Sequence, residues 1–288
     1  MINSLLAAIE IQNYDKYSLN EEILAKIISQ AEAIALELSV VGLMNMQFAV
    51  QGSEIFILEV NPRASRTIPF VAKAVGQPIA KIAARIMAGE KLLDFKLDLV
   101  LRGHVAVKEA VFPFARFPGV DVLLGPEMKS TGEVMGLDTS FPAAFAKSQI
   151  AAGIKLPENG NVFISVKDRD KPAAAELAVK LVVLGFNIIA TTGTAKFLTE
   201  RSIGVRPVKK VLEGRPHIVD AITNNEVDLI FNTTEGSQAI ADSFTLRRSA
   251  LLHQIPYYTT ISGAKSVMQA INYIKQQGLD VAPLQSYF

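Results

Sequence analysis

The chain has 288 residues, half of them hydrophobic and 20% charged, with 29 Lys plus Arg against 28 Asp plus Glu for a net charge of +1. That composition supplies a buried core and excludes global disorder, and the length suits two domains. Near-neutral charge gives no footing for bulk nucleic-acid or membrane-surface binding. Cysteine is absent, so disulfides, thiolate metal sites and cysteine nucleophiles are impossible, and a reducing cytoplasm is the expected home. No apolar run approaches the roughly 20 residues of a membrane-spanning helix. The opening MINSLLAAIEIQNYDKYS is too polar and too lightly basic for a signal peptide.

A first helix is predicted from Ser18, with Glu21 completing a capping box and Leu24, Ile27, Ile28, Ala31, Ile34, Ala35 and Leu38 at helical spacing. Two strand-like runs follow, Leu43–Val50 and Ile55–Val60, joined by Gln51-Gly52-Ser53 as a hairpin. A helix spans Ile79–Met87 and stops at Gly89. The stretch 100–150 is rich in Phe, Pro and Gly and reads as ordered apolar structure with turns, Phe112, Phe114 and Phe117 being packing residues. The pattern changes near 151–160. Beyond it, strands 161–166, 186–190, 205–211, 228–232 and 257–260 alternate with helices, so a mainly parallel, five-stranded α/β sheet is expected. The domains are expected at 1–100, 101–155 and 156–288.

Glu59 and Asn61 lie two apart on a strand and point the same way. A three-residue turn would pair Val50 with Glu54 and Asn45 with Glu59, bringing Asn45, Gln47, Glu59 and Asn61 to one face. Such oxygen donors suit Mg²⁺, which keeps several waters and completes its shell with phosphate oxygens. Arg63 and Arg66, just beyond, can neutralise phosphates. A hairpin with one solvated face is the other reading of the same alternation.

The stretch GLMNMQFAVQGSEIFILEVNPRASRTIPFVAKAVGQPIAKIAARIMAG resembles the closing section of an ATP-grasp domain. More narrowly, it is similar to the second synthetase half of carbamoyl phosphate synthetase large subunits, and the likeness runs to nearly the last residue. The resemblance implies that Gln47, Glu59 and Asn61 are Mg²⁺–ATP ligands (Mn²⁺ being an alternative metal), with Arg63 and Arg66 beside the phosphates in the catalytic role. It implies a ligase making carbamoyl phosphate from bicarbonate, glutamine-derived ammonia and two ATP, for arginine and pyrimidine synthesis. A glutaminase small subunit and the missing N-terminal part of the large subunit are the implied partners. The glycine-rich lid, phosphate-binding lysine and adenine pocket of that domain would lie upstream, so the isolated chain is expected to be inactive.

Four strand ends carry small polar or glycine-containing loops: Val166–Lys171, Thr191-Thr192-Gly193-Thr194, Asn232–Gly236 and Thr259–Gly263. In open α/β sheets ligands sit outside the carboxyl ends of the strands, and hydroxyls with backbone N–H groups make anion sites. Arg206, Lys209, Lys210 and Arg215 add positive charge. Simple helix capping by Thr and Ser is the competing explanation. TTGT, KKVLEGRPHIVDAI and FNTTEG resemble the methylglyoxal-synthase-like allosteric domain of the same large subunits. That likeness implies that Ser165, Lys171, Thr191, Thr194, Lys210, Asn232 and Thr234 bind UMP or IMP, with Ser237 where the family often has a basic residue. It also matches Glu109, Tyr257 and Thr259 to an ornithine site, with Tyr258 replacing a common acidic residue.

Two other readings compete. A stand-alone nucleotide-binding regulatory module needs only the last domain. Methylglyoxal synthase would need an aspartate base, but Leu212-Glu213-Gly214-Arg215-Pro216-His217 stands where that family has its Gly-Gly-Asp-Gln-Gln stretch. His104, His217 and His253 are too scattered for a metal site and read as packed or surface residues.

Overall fold

The computed structural model describes residues 19–97, 103–112, 114 and 130–288. The expected cap Ser18 and the aromatic Phe117 lie outside them. Asn20 caps the first helix, α1 (Glu21–Glu37), its Oδ1 accepting the Ile23 N–H at 2.9 Å. Either residue could cap by type, and the one nearer the helix does so. Ile23, Ile27, Ala31 and Ala35 form the buried stripe of α1, whereas Ile28 and Leu38 of the apolar series are exposed.

Strands β1 (Asn45–Gln51) and β2 (Glu54–Asn61) pair antiparallel. Met46 and Val60 pack against Ala35, Val40 and Met44, which fixes one hairpin face as the inner one. Helix α2 (Thr67–Val75) follows, and the sequence reading did not include it. Pro69 reads as a breaker, yet in a first turn its missing N–H costs nothing. Helix α3 (Ile79–Met87) has the expected bounds. Leu43, Ile68, Ile79, Ile82, Ala83 and Ile86 form the core beneath these helices.

Compact packing divides the chain between Lys108 and Glu109, with residues 281–288 belonging to the first unit. There Phe288 lies over Gly76, the left-handed C-cap of α2 (φ 66°), where an added Cβ would come within 2.7 Å of the ring. His104, buried, is 2.7 Å from Ala74 O through Nε2 and meets the Tyr287 and Phe288 rings edge-on at 5.7 Å. The change of sequence pattern near 155 falls inside the second unit.

Strand β3 (Val105–Val111) carries that division and pairs with β4 (Gly132–Asp138). Phe112 and Phe114 stack at 5.1 Å. Helix α4 (Phe141–Ala151) packs on β4 so closely that a Cβ at Gly136 would overlap Ala144 O and come within 2.5 Å of Ser148 N.

The remaining strands, β5 (Gly160–Ser165), β6 (Phe186–Thr191), β7 (Arg206–Val208), β8 (Leu229–Asn232) and β9 (Tyr257–Tyr258), form one parallel sheet in the order β7-β6-β5-β8-β9. Parallel strands need crossovers, and helices on both faces bury them. Phe163, Ile189 and Ile230 face α7 (Ile218–Thr223) and α9 (Phe244–Leu252), packing with Ile218, Ile222 and Leu246. The alternate residues Val162, Ile164, Ile188, Leu229 and Phe231 are equally buried and point the other way. On that side lie α5 (Lys171–Val183), packed on β6, and α10 (Ile261–Gln277), packed on α5.

Several boundaries differ from expectation. Thr191-Thr192-Gly193-Thr194 is not a loop: Thr191 is the N-cap and the rest is the first turn of α6 (Thr192–Thr199). Likewise α10 starts at Ile261, since Thr260 Oγ1 accepts the Gly263 N–H at 3.0 Å. A short helix, α8 (Ser237–Asp242), precedes α9 and was not expected. Gly136→Ala should destabilise the second unit by roughly 3 kcal/mol, because backbone atoms rather than a flexible side chain obstruct the methyl. Urea unfolding monitored by circular dichroism measures it, and an unchanged midpoint would show that α4 is not seated this closely on β4.

Candidate functional site

The hairpin turn contains two residues, Gly52 and Ser53, because Gln51 pairs with Glu54. This corrects the three-residue register expected from the sequence. The ladder continues as Val50 with Ile55, Ala49 with Phe56 and Phe48 with Ile57, then skips to Gln47 with Glu59 and Asn45 with Asn61. Leu58 is the extra residue of a bulge. Without it Gln47 would face Leu58 and Glu59 would fall opposite Met46. The bulge therefore gathers Asn45, Gln47, Glu59 and Asn61 on one face, as bulges beside functional sites re-aim side chains.

Glu59 and Gln47 are exposed, while Asn45 and Asn61 are half-buried. Arg63 Nη2 donates to Asn61 Oδ1 at 3.2 Å and Nη1 donates to Ala64 O at 3.0 Å. The Asn61 carbonyl keeps a second lone pair, so it can serve the guanidinium and a ligand together. Arg66 is exposed and stands at the N-cap position of α2, while Ser65 Oγ accepts the Thr67 N–H at 3.2 Å. The next residue, Thr67, receives Lys108 Nζ on its Oγ1 at 2.9 Å. Among the described residues no three His, Cys, Asp or Glu side chains cluster as a metal site. The face offers one carboxylate and three amide carbonyls, a donor set that fits Mg²⁺ only when phosphate and water complete the shell.

In the second unit the chain order reverses at β5, whose neighbours are β6 and β8, and a cleft of about 410 Å³ opens outside these strand ends. Ser165, Thr191, Lys210, Asn232 and Thr234 line it. Thr191 Oγ1 lies 3.3 Å from Ser165 Oγ and 3.4 Å from Thr194 Oγ1, and Thr194 accepts the Val166 N–H at 3.4 Å. Thr194 thus braces the wall from behind. Lys171 stands at the side, 2.7 Å from Asp168. Its hydrogen bond and charge hold the Asp168 carboxyl below the usual value against the effect of burial, with Lys210 adding a further pull. Lys171 Nζ also lies 3.8 Å from where a Cβ on Gly193 would sit, beside the first turn of α6.

The sequence reading missed part of this cleft. Lys167 and Thr233 line it, linked by the Lys167 N–H donating to Thr233 Oγ1 at 3.2 Å. Val211, Leu212, Ala239 and Leu246 supply an apolar wall. Thr233 stood in the quoted loop, but nothing local marks the wall from α8 and α9.

Of the residues matched to an ornithine site, Glu109 and Tyr257 bond different amide side chains. Adjacent strand residues point to opposite faces. The Tyr257 hydroxyl oxygen accepts from Asn232 Nδ2 beside the cleft, whereas Tyr258 O–H donates to Gln149 Oε1 at 2.9 Å. Gln149 Nε2 in turn donates to Glu109 Oε2 at 2.9 Å. Thr259 is exposed. Burial pushes the Glu109 carboxyl up, and the Gln149 hydrogen bond offsets part of the effect. A carboxyl raised in the folded state costs stability once pH passes the unfolded value, and the loss completes as pH rises through the folded value. Glu109→Gln should therefore be more stable than wild type at neutral pH, the two converging below about 4.5. Denaturation midpoints against pH test this; parallel curves would contradict it.

Among the described residues no helix is long and apolar enough to cross a membrane. The model for the carbamoyl-phosphate synthase L chain, ATP binding domain, matches residues 16–95, and the model for the MGS-like domain matches 173–259. The carbamoyl phosphate synthase large chain of Mesorhizobium japonicum is 55% identical over 278 residues, covering 94% of this chain and 24% of that one. The Myxococcus xanthus large chain is 55% identical over 272 residues (94% and 25%), and that of Pseudomonas aeruginosa 56% over 258 residues (89% and 24%). The chain thus spans about a quarter of the length of these relatives. An ATP-binding segment with its hairpin face, followed by an MGS-like sheet with its cleft, places this chain in the carbamoyl phosphate synthase large-chain family.

Proposed function

We propose that the chain supplies two parts of a carbamoyl phosphate synthase large subunit: Mg²⁺–ATP contacts of a carbamate-phosphorylating site, and an allosteric nucleotide site. The observation that carries the first part is the bulged register that sets Gln47 opposite Glu59 and Asn45 opposite Asn61, with Arg63 bonded to Asn61. Gln47, Glu59 and Asn61 would hold Mg²⁺ (or Mn²⁺) on the nucleotide. The metal supplies charge neutralisation at the phosphates. Asn61 aims the Arg63 guanidinium, and Arg66 brings a second positive charge to the same strand end, where both favour the transferring phosphoryl group. In a full large subunit, Glu59→Gln should lower the rate of ATP-dependent carbamoyl phosphate formation about 100-fold. Wild-type turnover in that variant would remove Glu59 from the metal site.

The second part rests on the cleft. Backbone N–H groups at the start of α6, the hydroxyls of Ser165, Thr191 and Thr234, the Asn232 amide and the lysines suit the phosphate of a nucleoside monophosphate such as UMP or IMP. The apolar wall suits its base. Effector binding would favour one of two states of the synthetase half, a coupling of typically about 1–3 kcal/mol. Glutamine-derived ammonia implies a glutaminase partner, and the rest of the large subunit supplies the remaining nucleotide contacts, so the isolated chain should not make carbamoyl phosphate. A regulatory module acting alone would need only the cleft.

A ligand confined to the folded state raises the melting temperature. UMP or IMP at millimolar concentration should therefore stabilise the chain, and Lys210→Ala should weaken that stabilisation without lowering the melting temperature of the unliganded protein. Absence of any shift in a folded sample would contradict the nucleotide reading.

A further inference from the structure

Two pairs of neighbouring residues in the second unit look in opposite directions. On β9, Tyr257 turns to the cleft residue Asn232 and Tyr258 turns away to Gln149. On β3, Glu109 takes the other end of Gln149, while Lys108, the preceding residue, points to the opposite face and bonds Thr67 at the head of α2. Thr67 adjoins Arg66. Within the second unit a series of short contacts therefore runs Asn232, Tyr257, Tyr258, Gln149, Glu109, with one covalent step where β9 alternates.

Gln149 is the side chain that joins Tyr258 to Glu109, and its amide can occupy two distinct states in one place. It is only 2% exposed, so its amide must find partners within the protein. In the observed state Nε2 donates to Glu109 and Oε1 accepts from Tyr258. A half-turn of the amide would reverse both roles: a protonated Glu109 would donate to Oε1 and Nε2 would donate to the Tyr258 oxygen, the half-buried Tyr258 turning its hydroxyl proton to another acceptor. The orientation of Tyr258 thus biases the charge on Glu109. β9 can move Tyr258, because it is a two-residue edge strand held by pairing of Ile230 with Tyr257 and Phe231 with Tyr258. A ligand drawing on Asn232 acts directly on the neighbouring Tyr257.

We infer that Gln149 is a positioning residue with two hydrogen-bonding orientations, through which occupancy of the cleft is communicated to Glu109. The inference goes beyond the nucleotide reading, on which only its ligand-driven form rests.

The test follows the Glu109 carboxyl by ¹³C-detected titration of the full chain in wild type, Tyr258→Phe and Asn232→Ala, each with and without UMP or IMP. Tyr258→Phe removes one oxygen and should leave the fold intact. It should raise the Glu109 midpoint, by about threefold in proton affinity, because Gln149 loses the donor that orients it. Asn232→Ala should move the midpoint in the same direction by less. UMP or IMP should shift it in wild type and not in Tyr258→Phe. Coincident midpoints in all three proteins would overturn the inference, as would a ligand-induced shift that survives Tyr258→Phe. If neither nucleotide binds while both variants still move Glu109, the relay stands and the nucleotide reading falls.

Discussion

Burial of both faces of the five-stranded parallel sheet is the constraint from which the second unit follows. Val162, Phe163, Ile164, Leu229 and Ile230 have no exposed surface, so the central strands offer no polar face to solvent. Polar chemistry is left to the strand ends. The reversal of strand order at β5 separates the loops there and leaves a cleft. Thr191 and Asn232 are buried at those ends, yet they keep polar partners in Ser165, Thr194 and Tyr257. A network held in place before a ligand arrives costs little to organise when it binds.

The first unit solves a different problem with a smaller device. A two-stranded ribbon has a weak register of its own. Packing of Met46 and Val60 on Ala35, Val40 and Met44 fixes which face is inner. The Leu58 bulge then decides which residues meet on the outer face. The same unit gathers in residues 281–288, where Phe288 closes over Gly76 and Tyr287 joins it against His104. The residues that follow α10 thus belong to the first unit.

Much of this was legible in the residues, and the failures share a cause. Strands β5, β6 and β8 and helix α3 were readable because buried parallel strands form dense apolar runs and α3 has a clean helical stripe. The face shared by Gln47, Glu59 and Asn61 was foreseen through the wrong register: a shorter turn and a bulge compensate, and composition signals neither. Helix α2 hid behind Pro69, and the first turns of α6 and α10 hid behind threonines that read as loop. Thr191, Lys210, Asn232 and Thr234, named from the family resemblance, line one cleft. Gln149 was not found, since a lone amide on a buried helix face acquires meaning only from Glu109 and Tyr258, 40 and 109 residues away. Choosing between Tyr257 and Tyr258 likewise required the strand's orientation.

The most direct test of the account is a crystal structure of the chain grown with UMP or IMP. The account predicts a phosphate outside the ends of β5, β6 and β8, within hydrogen-bonding reach of Thr191, Asn232 and Lys210, with the base against Val211, Leu212 and Leu246. A nucleotide bound elsewhere, or a cleft that stays empty at saturating ligand, would contradict it.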